Sequence, residues 1–341
     1  MRRAGFPDAE RNAARPVATR RTFMACTAAL ALAPAWADER PRRIGYMGIG
    51  ERPRPGAVPI VDAFFAGLHE LGYEEGRDYV VDWRATGGAP ERYATVAAEL
   101  VASGVDLILC LSTTQAVAAR DATDTIPIVF SGLVDPVGSG LVASSAQPGG
   151  NLTGTSSTDV GLGSSRIALL HELMPTLASV VVLWSDEAAA HGQQVEQLEA
   201  ATRGAGIAVV PIEMRRVEDV GAAFDATARA RPDAVLVLAQ AWQAYHGAEV
   251  FRAAIRLRLA TLGAERYQAI AGALVTYGAS LADLARRAAG QADRIFKGAS
   301  PSELPVQFPT RYELVVNLRT AGAIGVDVPS ALLQRADEVM R

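Results

Sequence analysis

Cysteine is nearly missing from this 341-residue chain, which has only Cys26 and Cys110. That excludes a disulfide-built scaffold and a cysteine-based zinc site. Cys110 lies in an apolar run and reads as a buried small hydrophobe. Lysine is scarcer still: Lys297 is the single example among 33 basic residues, a bias we ascribe to genome composition. Aromatic residues make up 6%, and the net charge is −4. A nucleic-acid partner needs clustered positive charge, so none is expected. The four histidines, at 69, 171, 191 and 246, show neither H-E-x-x-H nor H-x-H spacing. No metal site follows from them. There is no G-x-S-x-G elbow and no G-x-x-x-x-G-K-[ST] loop. Gly48-Ile49-Gly50 fails as a dinucleotide fingerprint because residue 53 is Pro, and Gly161-Leu162-Gly163 fails because Arg166 takes the third glycine's place. We therefore assign no catalytic residue, no metal and no cofactor, and expect no enzyme.

The N-terminus has a different character. Arginine-rich residues end at Thr19-Arg20-Arg21-Thr22-Phe23, a short apolar stretch runs to Ala33, and Ala35-Trp36-Ala37 offers a cleavage site. That order makes an export signal. The arginine pair followed by Phe23 resembles a twin-arginine signal, with an ordinary Sec signal as the alternative. Cleavage after Ala37 removes six arginines and two acids, leaving 304 residues with a net charge of −8. No later run reaches 18 uninterrupted apolar residues, so no stable membrane insertion is expected. The mature protein is expected in the periplasm, as a monomer.

Half the chain is hydrophobic and 21% is charged, a globular composition, and the length suggests about two domains. Short apolar runs alternate with helical periodicity. Strands are predicted at 44–49, 79–83, 106–111 and 126–130, with helices between them. A Gly/Pro/Ser-rich stretch from Gly132 to Ser157 reads as a join. The alternation then restarts, with strands at 180–184, 207–212 and 234–239 and a further short strand at 261–263. Helices are predicted around 167–177, 193–203, 217–230, 250–259 and 281–296, then a strand at 312–316 and a terminal helix. Such repetition implies parallel sheets covered by helices on both faces, in two lobes.

Ligands of open α/β sheets bind beyond the carboxyl ends of the strands. The candidate residues there are Gly50, Glu51, Ser112, Thr113, Thr114, Asp135, Asp186, Trp242 and Glu265, with Tyr277 as a second aromatic. Ser112-Thr113-Thr114 at a helix start suits a ligand carboxylate, although Ser112 could equally serve as a plain helix cap. Asp135 or Glu265 could take an ammonium. Pro136 is expected to hold Asp135 extended. Trp242 and Tyr277 could wall an apolar or aromatic group.

Several ordered stretches carry a resemblance. They are Phe65-Ala66-Gly67-Leu68-His69-Glu70-Leu71-Gly72-Tyr73 and Ile126-Pro127-Ile128-Val129-Phe130. The longest runs from Asp135-Pro136-Val137-Gly138-Ser139-Gly140-Leu141 to Pro148-Gly149-Gly150-Asn151-Leu152-Thr153-Gly154. Tyr277-Gly278 and Leu304-Pro305-Val306-Gln307 follow. Together they resemble ABC-transporter substrate-binding proteins of the tryptophan/tyrosine-type family, which have the type I periplasmic-binding-protein fold. The resemblance covers about residues 43–340. It departs at Glu51-Arg52-Pro53-Arg54-Pro55 and at Glu265-Arg266-Tyr267, where many relatives carry a small polar residue and Arg.

The resemblance implies two doubly wound parallel-sheet lobes with a ligand cleft between them. The expected division is 43–157 plus 276–303 for the first lobe and 158–275 plus 304–341 for the second. It also implies an exported subunit of an ABC importer. That subunit would close by hinge motion on a small polar or zwitterionic ligand, aromatic amino acid-like, and serve an ABC permease and its ATPase. The alternatives are a periplasmic sensor feeding a membrane signalling receptor and, further off, a periplasmic enzyme on the same scaffold.

Overall fold

The computed structural model describes residues 40–341 apart from 53, 55–57, 88, 90, 158–161, 186–188 and 241–242. The export segment at 1–37 lies outside the described residues, as do Asp186 and Trp242. The first half of the chain alternates strand and helix: β1 (Arg42–Gly48), α1 (Pro59–Glu70), β2 (Tyr79–Ala85), α2 (Arg92–Ala102), β3 (Leu107–Cys110), α3 (Thr113–Ala122), β4 (Ile128–Leu133) and β5 (Leu152–Ser156). These strands form one parallel sheet in the order β2-β1-β3-β4-β5. Its centre is apolar through and through: Leu107, Ile108, Leu109 and Cys110 are all fully buried, as strands covered on both faces must be. Burial pushes the Cys110 thiol up, well away from the reactive thiolate form.

The second block continues with α4 (Leu162–Leu173), β6 (Ser179–Trp184), α5 (Ala189–Thr202), β7 (Ala208–Glu213), α6 (Val220–Ala230), β8 (Ala234–Val237), α7 (Gln243–Arg256), β9 (Ala260–Gly263), α8 (Arg266–Ala271) and β10 (Val275–Ala279). Then come α9 (Leu281–Phe296), β11 (Tyr312–Asn317), α10 (Leu318–Ile324), α11 (Ser330–Arg335) and β12 (Glu338–Met340). The second sheet has the order β12-β11-β10-β9-β8-β6-β7. It is parallel except where β11 pairs antiparallel with β10. The exception follows from the path of the chain. After β10 the chain leaves to build α9 on the first lobe and returns at the end where it left, so β11 has to run backwards.

Helix α9 belongs to the first lobe. Its alanines 285, 288, 289 and 292 are buried in one cluster with Phe64 and Leu68 of α1. The two helices touch at Gly67, where a Cβ would stand 2.9 Å from the Ala289 Cβ and from the Arg286 Cα. The chain then covers β5: Gln307 N–H donates to the Gly154 carbonyl and Ser156 N–H to the Gln307 carbonyl. These contacts correct the expected division between the lobes. Residues 276–279 belong to the second sheet, and 304–307 pack on the first.

β5 is a second correction, because it lies inside the stretch read as a join. Its Thr153, Thr155 and Ser156 are fully buried and hydrogen-bonded. Thr153 Oγ1 donates to the Leu304 carbonyl (2.7 Å), and Thr155 Oγ1 donates to the Leu284 carbonyl (3.1 Å). Among the described residues, no helix is long and apolar enough to cross a membrane.

Candidate ligand cleft

The carboxyl ends of the strands of both sheets meet at one small cavity. Val134 and Ser157 line it from the first lobe. From the second come Arg166, His191, Gln194 and Glu265, with the small walls Ala239, Ala264 and Ala279. The cavity is open to solvent on one side and small, about 30 Å³, room for about two waters.

Arg166 sits in the second turn of α4 and is 6% exposed. Its Nε donates to the Tyr277 carbonyl of β10 (3.0 Å). A buried guanidinium needs such fixed acceptors and a counter-charge. The counter-charge is Glu265, whose carboxyl feels Arg166 across the cavity. Glu265 follows β9 and opens α8. The Gln268 side chain shapes this corner, its Oε1 accepting from the N–H groups of Ala264 (2.6 Å) and Glu265 (3.1 Å).

Burial pushes the Glu265 carboxyl up to about 7, with the Arg166 charge pulling the other way. Tyr267 lies beneath it. Burial and the Glu265 charge raise its phenol well above the ordinary value, and its hydroxyl donates to the Gln240 carbonyl (3.3 Å). His191 is 4% exposed, its Nδ1 3.0 Å from the Ser185 carbonyl. Burial lowers its pKa, partly offset by the carbonyls of Ser185 and Ala239.

The raised Glu265 carboxyl makes a stability prediction. Its folded pKa, about 7, lies above the unfolded value of 4.5. The protonated group therefore stabilises the fold fully below about pH 4.5, and that stability is lost as pH rises through about 7. Relative to wild type, ligand-free Glu265→Gln should gain stability between these pH values. The gain should be on the order of 2 kcal/mol at pH 8, discounted because the residue is only half-buried. Urea denaturation of both proteins at pH 4.5 and pH 8 checks this. A pH-independent difference would contradict it.

Of the residues singled out in the sequence, Glu265 lines the cavity. Ser112 is the cap of α3: its Oγ accepts from Gln115 N–H, while Gln115 Oε1 accepts from the N–H groups of Leu111 (2.6 Å) and Ser112 (3.1 Å). Thr113 is half-buried and Thr114 exposed beside it. Gly50 and Glu51 are exposed on the loop after β1, and Trp83 Nε1 donates to the Gly50 carbonyl (2.7 Å). Tyr277 offers the cavity wall its carbonyl, while its ring lies near Tyr312, 6.1 Å between centroids.

Asp135 is not extended, as Pro136 led us to expect. Its φ is +46°, in the left-handed region. The carboxyl and carbonyl of Asp135 instead wrap the following turn. Oδ1 accepts from Gly138 N–H (2.8 Å), and the carbonyl accepts from Ser139 N–H (3.0 Å) and Ser139 Oγ (2.7 Å). Aspartate and asparagine tolerate this backbone best. Asp135→Asn should therefore be neutral for stability. Asp135→Ala should cost about 2 kcal/mol, about one each for the lost hydrogen bond and the positive φ. Denaturation midpoints of the two variants decide it.

Arg166, His191, Gln194 and Ser157 were not among the sequence candidates. Helices α4 and α5 start earlier than their apolar periodicity suggests, so Arg166 and His191 looked like helix body or loop. One signal was present. Ser112-Thr113-Thr114-Gln115 and Glu265-Arg266-Tyr267-Gln268 share the same glutamine cap geometry after a central strand of each sheet. The two corners are equivalent, one per lobe.

Two α/β lobes whose strand ends close on a small polar cavity define a two-lobed binding protein. Residues 53–340 match the model of the family described as ABC transporter substrate binding proteins, and the chain belongs to that family. A curated relative, "Tyrosine-binding protein" of Clostridioides difficile (strain R20291), is 26% identical over 294 residues, covering 86% of this chain and 84% of its own length. A conserved domain protein from Vibrio cholerae O1 biovar eltor superposes with a TM-score of 0.77 at 28% identity, over 88% of this chain and 100% of its own. The ABC domain from Streptococcus pneumonia, solved in complex with L-Trp, gives 0.79 at 24% identity, over 88% and 100%. The fold is that of type I periplasmic binding proteins.

Proposed function

We propose that this chain is the exported solute-binding subunit of an ABC importer, capturing a small zwitterion, an aromatic amino acid or a close relative, between its lobes. The observation that carries the reading is the pair of opposite charges at one cavity wall, Arg166 buried and Glu265 half-buried. Arg166 supplies planar donors for a ligand carboxylate, and Glu265 the partner for its ammonium. Tyrosine, in the name of the Clostridioides relative, and L-Trp, in complex with the Streptococcus one, belong to this class.

The cavity, at about 30 Å³, is too small for an amino acid, so in this reading the lobes part to admit one and close again. The passages between the sheets are tied for such a hinge. Ser280 N–H, where the chain leaves β10, donates to the Arg311 carbonyl, where it returns to β11 (3.2 Å). The opposing face, with Thr113, Thr114 and the Asp135 loop, would come down on the ligand. The protein would perform no covalent chemistry, work as a monomer in the periplasm after signal removal, and pass its cargo to a permease with an ATPase.

A thermal-shift screen of residues 38–341 against amino acids, nucleosides, purines and small carboxylates tests the reading. Ligand at a hundred times its dissociation constant stabilises by about 2.7 kcal/mol, a shift of several degrees. Shifts confined to tryptophan, tyrosine or phenylalanine are expected. A shift with nucleosides alone would discard the ammonium and carboxylate roles.

A further inference from the structure

We infer that capture at this cleft is proton-linked: Glu265 passes from carboxylic acid to carboxylate as it takes the ligand's ammonium, so binding releases a proton and weakens as the medium acidifies. The inference deepens, and rests on, the amino-acid reading above.

The geometry supports it from several sides. Glu265 lines this small cavity half-buried beneath the walls of Ala264 and Ala279, so a bare carboxylate there is only partly hydrated. Among the described residues, the charge facing it is Arg166 of α4, held against the β10 main chain by its bond to the Tyr277 carbonyl. On its own helix, Tyr267 gives its hydroxyl to the Gln240 carbonyl and stays neutral. Arg266 turns away, its Nε 2.6 Å from Glu338 Oε2 of β12. His191 of α5 shares the cavity, and burial lowers its pKa, with the Ser185 and Ala239 carbonyls acting the other way.

A zwitterion changes this balance. Its carboxylate on Arg166 neutralises the cation that, among the described residues, favoured an ionised Glu265. Only the ammonium can then hold Glu265 as a carboxylate. The proton that Glu265 carried leaves to the buffer, and no bond other than that O–H is broken. An analogue without the amine leaves that proton in place. The raised carboxyl, at about 7, sets the range in which the exchange occurs.

The test is calorimetric titration of the mature protein with L-tryptophan and L-tyrosine, in phosphate and in Tris, from pH 5.5 to 8.5. The two buffers differ in ionisation heat, so the heat difference counts protons. About half a proton should appear at pH 7, and close to one at pH 6. Affinity should fall towards tenfold per pH unit below about pH 7. Indole-3-propionate, which lacks the amine, should release none and near pH 7 should take up a fraction of a proton instead. Glu265→Gln should bind tryptophan at least tenfold more weakly at pH 8, with equal heats in both buffers.

Tryptophan binding with equal heats and flat affinity in wild type would overturn the proton link and leave the amino-acid reading intact. Proton release that persists in Glu265→Gln would assign the proton to another group and overturn the inference. No binding of any amino acid at any pH would overturn both.

Discussion

Arg166→Ala is expected to weaken amino-acid capture at least about thirtyfold. Truncating one partner of a buried, hydrogen-bonded charge pair costs about 2–5 kcal/mol of binding. Arg166 is 6% exposed and anchored on the Tyr277 carbonyl, so its guanidinium is already oriented before a ligand arrives. The fold should survive the change. Loss of the Tyr277 bond costs about 1 kcal/mol. Glu265, deprived of its counter-charge, would keep its proton instead of standing as a bare anion. Arg166→Lys should recover only part of the affinity, because a point charge lacks the planar fork that grips a carboxylate and a main-chain carbonyl together. Calorimetry with L-tryptophan on wild type and both variants reads the effect, and thermal denaturation confirms folding. Unchanged affinity in the alanine variant would remove Arg166 from the site.

The second large effect is expected at Gly278. A Cβ there would stand 1.7 Å from the Ala264 carbonyl oxygen and 3.4 Å from Arg166 Nη2. β10 cannot move aside, because β9 pairs with it at Thr276↔Gly263 and β11 at Gly278↔Glu313. Overpacking without room to relax costs about 1–3 kcal/mol and occasionally more, and a clash with main chain on a central strand belongs at the upper end. Gly278→Ala should lower stability by about 3 kcal/mol or leave the protein insoluble, as urea midpoints and soluble yield would show. Where it folds, it should also bind more weakly, since Ala264 and Arg166 both wall the cavity. A change below about 0.5 kcal/mol, the usual range for neutral surface substitutions, would contradict the close approach.

Much of the architecture was legible because its strands are apolar and its helices periodic. Leu107–Cys110 and Val180–Leu183 can be little other than core strands. β5 was hidden for a physical reason: Leu-Thr-Gly-Thr-Ser looks like a loop. It is buried only because α9 and residues 304–307, more than a hundred positions away in sequence, supply partners for its hydroxyls. The reversed direction of β11 was equally invisible, since it depends on where the chain spends residues 281–307. At the site, the strand-end rule found Glu265 and not Arg166 or His191, because those two reach the cavity from the helices that follow. Asp135 shows a local rule losing. The restriction that proline places on its predecessor is outweighed by three hydrogen bonds that wrap the next turn around Asp135.

The central claim is that the Arg166–Glu265 wall holds the two charges of an amino acid. A crystal structure of the mature protein grown with L-tryptophan addresses it directly. The ligand carboxylate should lie within hydrogen-bond distance of the Arg166 guanidinium, and its ammonium against Glu265, with both lobes closed over it. A ligand bound against Ser112, Thr113 and Thr114 alone, touching neither Arg166 nor Glu265, would contradict the account.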